Sequence, residues 1–278
     1  MKSSLNRPNT LGILLTLAVI VFLVFANGLN TPFQSDDERH IHISPLTKDI
    51  SNFTNLTHIH NRHINGLSFA LNYKWGQENP FGYHLCNILI HIISTLLVFF
   101  ITLLTIWKGT SWGKDAAKSI ALITALIFGL HPIQTETVTY ISGRPGGLAG
   151  LFYFASLLLF IIANLKDYKI PRAIIYILSI ISFVLALLGK ETAITLPIII
   201  ILYDLCFIKG PDWTPFRFRL GYYLCYPFMA AALVYIAQHL SGVTNYTIHW
   251  QTILNKFNLP LGLVQLDLLK HPLKLFLF

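Results

Sequence analysis

Seven apolar runs, most of them long enough to cross a lipid bilayer, govern what this chain can fold into. A hydrocarbon core of roughly 30 Å takes about 20 helical residues, and backbone polar groups in lipid must be satisfied within the segment itself. The runs are Leu11–Leu29, His84–Trp107, Lys118–His131, Pro145–Leu165, Ala173–Leu188, Thr192–Ile208 and Leu220–Leu240. Composition agrees, since 54% of the 278 residues are hydrophobic and 12% are charged. The mean hydropathy of +0.60 leaves too little polar surface for a soluble domain of this length. The formal charge of +8 does not point to nucleic acid, because the basic residues fall in small groups between apolar runs, as they do in membrane loops. The expected fold is all-α: a polytopic transmembrane helical bundle of about seven spans with a large first extracytoplasmic loop at about 30–82.

The first run follows Lys2 and Arg7. It is longer than the apolar region of a signal peptide, and Phe25-Ala26-Asn27-Gly28 is a poor cleavage site, so it reads as an uncleaved helix. The third run is short and stops at Pro132, which pushes His131 out of helical geometry; Pro145 suits the first turn of the fourth helix. Cys86, Cys206 and Cys225 show no metal or redox spacing and read as small core hydrophobes.

Loop charge sets the direction. With the N-terminus cytoplasmic, the inner loops carry Lys108, Lys114 and Lys118, then Lys166, Lys169 and Arg172, then Lys209, Arg217 and Arg219. The opposite short loops carry only Arg144 and Lys190, each close to a glutamate. This is the positive-inside pattern at every turn. Asp36, Asp37, Glu38, Glu136 and Glu191 then all fall on the outer side. The interiors of the second, fourth, fifth and seventh spans hold no Asp, Glu, Lys or Arg, which argues against a transporter or proton pump, since these bury ionisable groups near the midplane.

Four segments can carry chemistry. Asp36-Asp37-Glu38, just beyond the first span, reads either as a solvated turn or as a general base at the membrane surface, where a carboxylate could deprotonate an acceptor hydroxyl. His84, Asn87 and His91 share one helical face of the second span. That face should point into the bundle, either for helix–helix hydrogen bonding or for substrate contact. Between His131 and Arg144 a buried Glu136 and Arg144 are expected to form a fixed pair, unless Arg144 binds a phosphate through its planar fork. Lys190-Glu191 opens the sixth span, with Lys190 a second phosphate candidate or a simple interfacial anchor. Asp204, near the inner end of the sixth span, is expected to be structural, offset by Lys209.

Histidines crowd the first outer loop at His40, His42, His58, His60 and His63, yet no cysteine or ordered His/Glu spacing accompanies them, so no metal site is expected. Sequons at Asn52, Asn55 and Asn245 lie on the outer side.

At these residues the chain resembles the GT-C class of polyprenyl-phosphate-sugar-dependent membrane glycosyltransferases. It is most similar to the transmembrane-plus-TPR family that includes eukaryotic protein O-mannosyltransferases and many bacterial TPR proteins. The resemblance rests on Asp36-Asp37, on Arg62 with Leu67–Tyr73, on Gly82–His91, on His131–Arg144 and on Lys190-Glu191, in that order from Leu11 to Ile208. His63 stands where the family has proline.

The resemblance implies that Asp36, with Asp37 beside it, is the catalytic carboxylate. It makes Arg62, His84, Asn87, His91, His131, Glu136, Arg144, Lys190 and Glu191 candidates for binding the donor and its phosphate or for bracing the site. The implied reaction moves a mannose-like sugar from a polyprenyl-phosphate donor, dissolved in membrane lipid, to a hydroxyl on a protein or glycan acceptor. No cofactor or divalent metal is implied. The expected domains are a GT-C-like module over 1–240 and an outer segment over 241–278 leading into a further apolar run, with no TPR domain present, so a TPR partner or segment is expected elsewhere. Localisation in a bacterial inner membrane or the ER membrane follows. The alternative is a non-catalytic anchor or assembly module, or an inactive fragment of such an enzyme.

Overall fold

The computed structural model describes residues 10–34, 36–38, 41, 44–51, 63–165, 171–208 and 223–226. Among these residues every regular element is helical, in keeping with the all-α expectation. Five helices are long and apolar enough to cross a membrane, and a sixth qualifies when Lys114–Leu130 is joined to Pro132–Val138 across a 49° bend. The protein is therefore a multi-pass membrane protein. The seventh expected span lies outside the described residues except for 223–226, as does the segment 241–278.

The first span is α1 (Thr10–Phe25), extended by a 3-10 turn at Ala26–Gly28. Among the described residues the stretch expected to be a loop holds the single turn α2 (Pro45–Lys48) and the 14-residue α3 (His63–Gly76). α4 (Pro80–Gly109) begins four residues before the expected start, because Pro80 sits in its first turn and the Asn79 side chain caps Phe81 N at 3.0 Å. At 30 residues it is about 45 Å long, so it overreaches a hydrocarbon core of roughly 30 Å and stands partly in the interface.

α5 (Lys114–Leu130) ends where Pro132 requires, with His131 extended at φ −63° and ψ 130°. A 3-10 turn at Pro132–Gln134, the single-turn α6 (Thr135–Val138) and a further 3-10 turn at Ile141–Gly143 lead into α7 (Arg144–Asn164). α8 (Arg172–Gly189) returns. α9 (Leu196–Tyr203) lies between a 3-10 turn at Glu191–Thr195 and a π-turn at Asp204–Ile208.

Small residues set the helix spacing, as expected where lipid offers no hydrophobic drive between helices. Ala117, Ala121, Ala125 and Gly129 form a buried stripe along α5. A Cβ at Gly129 would stand 3.0 Å from both Thr95 on α4 and Val21 on α1. α7 and α8 are cross-linked by reciprocal bonds: Ser156 Oγ donates to Ser179 O at 2.7 Å, and Ser179 Oγ to Ser156 O at 2.6 Å. Cys206 and Cys225 are exposed and Cys86 is half-buried, which corrects their reading as core residues.

The two ends of the bundle differ. One holds Lys108 and Lys114, both stacked on the Trp107 ring at 4.3 and 4.6 Å. Near that end Asp204 is buried and accepts from Tyr223 Oη at 2.5 Å; Lys209, its expected partner, lies outside the described residues. The other end gathers the acidic residues. Thr31 beyond α1, the first turns of α4, the α5–α7 connection and the end of α8 meet there: His84 Nε2 lies 3.0 Å from Thr31 O, and a Cβ on Gly189 would touch Ala149 N at 3.1 Å. The expectation that Asp36, Glu136, Arg144 and Lys190 share one side holds.

Candidate functional site

The acidic pair divides into two unlike carboxylates. Asp37 is only 2% exposed, and both of its oxygens are taken. Oδ1 accepts from Ser142 N at 2.8 Å and from Ser142 Oγ at 2.5 Å, while Oδ2 accepts from Gln34 N at 3.1 Å. Asp36 is exposed, and its one described partner is the Tyr140 hydroxyl, which donates to Oδ2 at 3.4 Å. At that length the bond is weak. Glu38 is exposed as well.

Ser142 reaches Asp37 because the α5–α7 connection folds back on itself. Its entry is capped by His131, whose Nδ1 accepts from Ile133 N at 3.2 Å; the exposed histidine thus acts on the turn. Its exit depends on Gly143, where a Cβ would lie 2.2 Å from Glu136 O, a distance no side chain tolerates. The close approach brings Glu136 and Gly143 together as backbone but sends their neighbours apart.

The expected Glu136–Arg144 pair does not form. Glu136 is exposed, whereas Arg144 is 1% exposed at the first turn of α7. The Arg144 guanidinium is held instead by neutral acceptors. Nε donates to Asn87 Oδ1 at 2.7 Å, Nη1 to Asn72 Oδ1 at 2.6 Å and Ser68 Oγ at 3.2 Å, and Nη2 to Tyr83 O at 3.0 Å. It also lies 4.5 Å above the Phe69 ring, a favourable cation–π contact. Of the five N–H donors that arginine carries, four are thus spent within the protein, joining α3, α4 and α7. Among the described residues no carboxylate lies at ion-pair distance from it. Among those residues Asp37 is the acid that acts on its charge, from beyond ion-pair distance.

The polar face of α4 points inward as expected, with His84, Asn87 and His91 all buried. The two histidines meet carbonyls at a turn and a helix end, and Asn87 adds a second bond to Tyr140 O, which also accepts from Gly143 N. His84 Nε2 meets Thr31 O, Asn87 Nδ2 donates to Tyr140 O at 3.4 Å, and His91 Nε2 meets Gly129 O at 2.9 Å in the last turn of α5. All three side chains are thus engaged in hydrogen bonds within the bundle, while Asn87 and His91 also line one cavity and His84 another.

Two cavities lie on either side of the connection. The first, about 220 Å³, is lined by Thr31, Gln34, Asp37, His84, Glu136 and Tyr140 among others, and by no lysine or arginine among the described residues. The second, about 180 Å³, lies on the other side of α6, where Gln134, Thr137 and Val138 form part of its wall. It combines Arg144, Asn87 and His91 with Phe128, Phe154 and the glycines of α7. Lys190 and Glu191 line neither. Arg62 lies outside the described residues, as do His40, His42, His58, His60 and the three sequons. Among the described residues no group of three His, Cys, Asp or Glu side chains is placed to hold a metal ion.

Sequence reasoning missed Ser142, Tyr140, Ser68 and Asn72, which hold the acids and the arginine. The only signal was their place inside polar segments that carried other candidates.

The protein is similar to the protein O-mannosyl-transferase Tmtc1 of Drosophila melanogaster, 30% identical over 230 residues that cover 76% of this chain and 24% of the relative. It is 31% identical to the human protein O-mannosyl-transferase TMTC1 over 157 residues, 54% of this chain and 17% of the relative. Against human TMTC4 it is 35% identical over 150 residues, 51% of this chain and 20% of the relative. The matches thus span about a quarter or less of these relatives' length. No protein-family model and no solved structure matches the chain. These identities show that the chain is a homologue of the TMTC protein O-mannosyl-transferases.

Proposed function

We propose that this chain is the membrane module of a glycosyltransferase that moves a mannose-like sugar from a polyprenyl-phosphate donor to a hydroxyl acceptor on a protein or glycan. The observation that carries the reading is the pairing of two unlike cavities beside an unspent carboxylate. The cavity rich in hydrogen-bond acceptors suits a neutral, polyhydroxylated sugar. The cavity with Arg144 at its polar side and aromatic rings elsewhere suits the phosphate end of a lipid whose tail stays in the bilayer. That the named homologues are protein O-mannosyl-transferases supports the same reaction class.

In this reading Asp36 takes the proton of the acceptor hydroxyl. The acceptor oxygen bonds to the anomeric carbon as the bond from that carbon to the phosphate oxygen breaks. The polyprenyl phosphate leaves with the electron pair, and the buried charge of Arg144 stabilises it. Loop charge supports a cytoplasmic N-terminus, with this end of the bundle working on the extracytoplasmic face.

The test uses membranes containing the full-length protein and labelled polyprenyl-phosphate mannose. Wild type is expected to label an acceptor, and Asp36→Asn to lose transfer while inserting normally. Full activity in Asp36→Asn would remove the base from the mechanism. Absence of transfer by wild type with every polyprenyl-phosphate sugar would leave a non-catalytic assembly module.

A further inference from the structure

We propose that Ser142 and Asp37 form a positioning clamp for the reacting carboxylate, so that the two adjacent acids have separate jobs: Asp37 holds the loop and Asp36 alone exchanges the proton. The inference rests on the glycosyltransferase reading above but does not follow from it, since either acid of the pair could have been the base.

The geometry favours the division. Asp37 is buried, and it accepts three hydrogen bonds, two of them from one residue 105 positions away in sequence. Bonds from backbone and side-chain donors to both oxygens of one carboxylate are charge-assisted, which makes Asp37 a good anchor for the turn. Its backbone is tied in turn, since Asp37 N donates to Gln34 O at 2.9 Å while Gln34 N donates back to the side chain. Asp36 is the next residue along this tied turn. With its neighbour fixed on both sides, its carboxylate is carried to a set place at the exposed end, within reach of Tyr140.

Ser142 is itself held from behind. Tyr140 O, two residues earlier, accepts from Asn87 Nδ2, and Asn87 Oδ1 is held by Arg144. Hydrogen bonds joined by the short Tyr140–Ser142 backbone therefore link the buried arginine to the acidic turn. Ser142 touches no reacting atom in this scheme; it acts through Asp37.

The experiment compares Ser142→Ala, Ser142→Thr, Asp37→Asn and Asp36→Asn in the full-length protein, with transfer kinetics and thermal unfolding measured on each. Ser142→Ala loses one donor and keeps its backbone N–H. It is expected to lower kcat about 10-fold with the donor KM unchanged, and to lower the unfolding temperature only by the small step that one lost hydrogen bond brings. Ser142→Thr, which restores the hydroxyl, is expected to return kcat to within about twofold of wild type. Asp37→Asn should retain measurable transfer, whereas Asp36→Asn should have none. The clamp is overturned if Ser142→Ala has wild-type kcat, or if Asp37→Asn is dead while Asp36→Asn is active. Either result leaves the transferase reading intact; inactivity of wild type itself would overturn that reading and the clamp with it.

Discussion

Replacing Arg144 by methionine is the perturbation that most sharply separates a buried clamp from a donor ligand. Methionine keeps much of the volume and removes the whole guanidinium. Asn87 Oδ1, Asn72 Oδ1, Ser68 Oγ and Tyr83 O then lose their donor together. Interhelical bonds inside membranes contribute roughly 0.6 kcal/mol each, and charge-assisted bonds in proteins at least about 1.5 kcal/mol. Four such bonds put the loss at about 2 to 6 kcal/mol, with relief of the buried charge drawing it toward the lower figure. Against a total stability of roughly 5–15 kcal/mol this is severe.

The assay is thermal or SDS-driven unfolding of the purified protein in detergent, with no donor present. Arg144→Met is expected to unfold well below wild type. Arg144→Lys should fall between them, because a point ammonium cannot span acceptors on three elements at once. A residue kept free for phosphate would behave oppositely: its removal would leave the donor-free protein as stable as before, or more so. Wild-type stability in Arg144→Met would therefore refute the clamp.

Gly143→Ala forces a Cβ to within 2.2 Å of Glu136 O, so the connection must open. A cost of about 1–3 kcal/mol is expected, with sugar transfer falling further than stability because Ser142 is drawn away from Asp37; unfolding and transfer measured side by side check this. His91→Leu leaves Gly129 O without its donor at the end of α5 and is expected to cost about 1–2 kcal/mol, while His91→Gln, which keeps a donor, should recover most of it in the same unfolding assay.

Much of the architecture was legible in the chain itself. Six of the seven apolar runs coincide with described helices to within a few residues, and the break at Pro132 and the proline start of α7 stand where the sequence puts them. Loop charge alone grouped Asp36, Glu136, Arg144 and Lys190 on one side of the bilayer. These properties are local: hydropathy over about 20 residues, a proline without its N–H, a lysine that resists translocation. The helix at His63–Gly76 escaped notice because its apolar residues form no run long enough to stand out.

The site needed the packed molecule. Whether Arg144 faces a glutamate or a cage of neutral acceptors depends on Asn87, Asn72, Ser68 and Tyr83, which lie 57 to 76 residues away in sequence. Adjacent aspartates look alike in sequence, and they separated into a buried anchor and an exposed base only when Ser142 arrived from 105 residues downstream. Membrane helices declare themselves through the free energy of transfer into lipid, which each segment carries alone. Hydrogen-bond partners are chosen by how those helices pack, and packing belongs to all of them together.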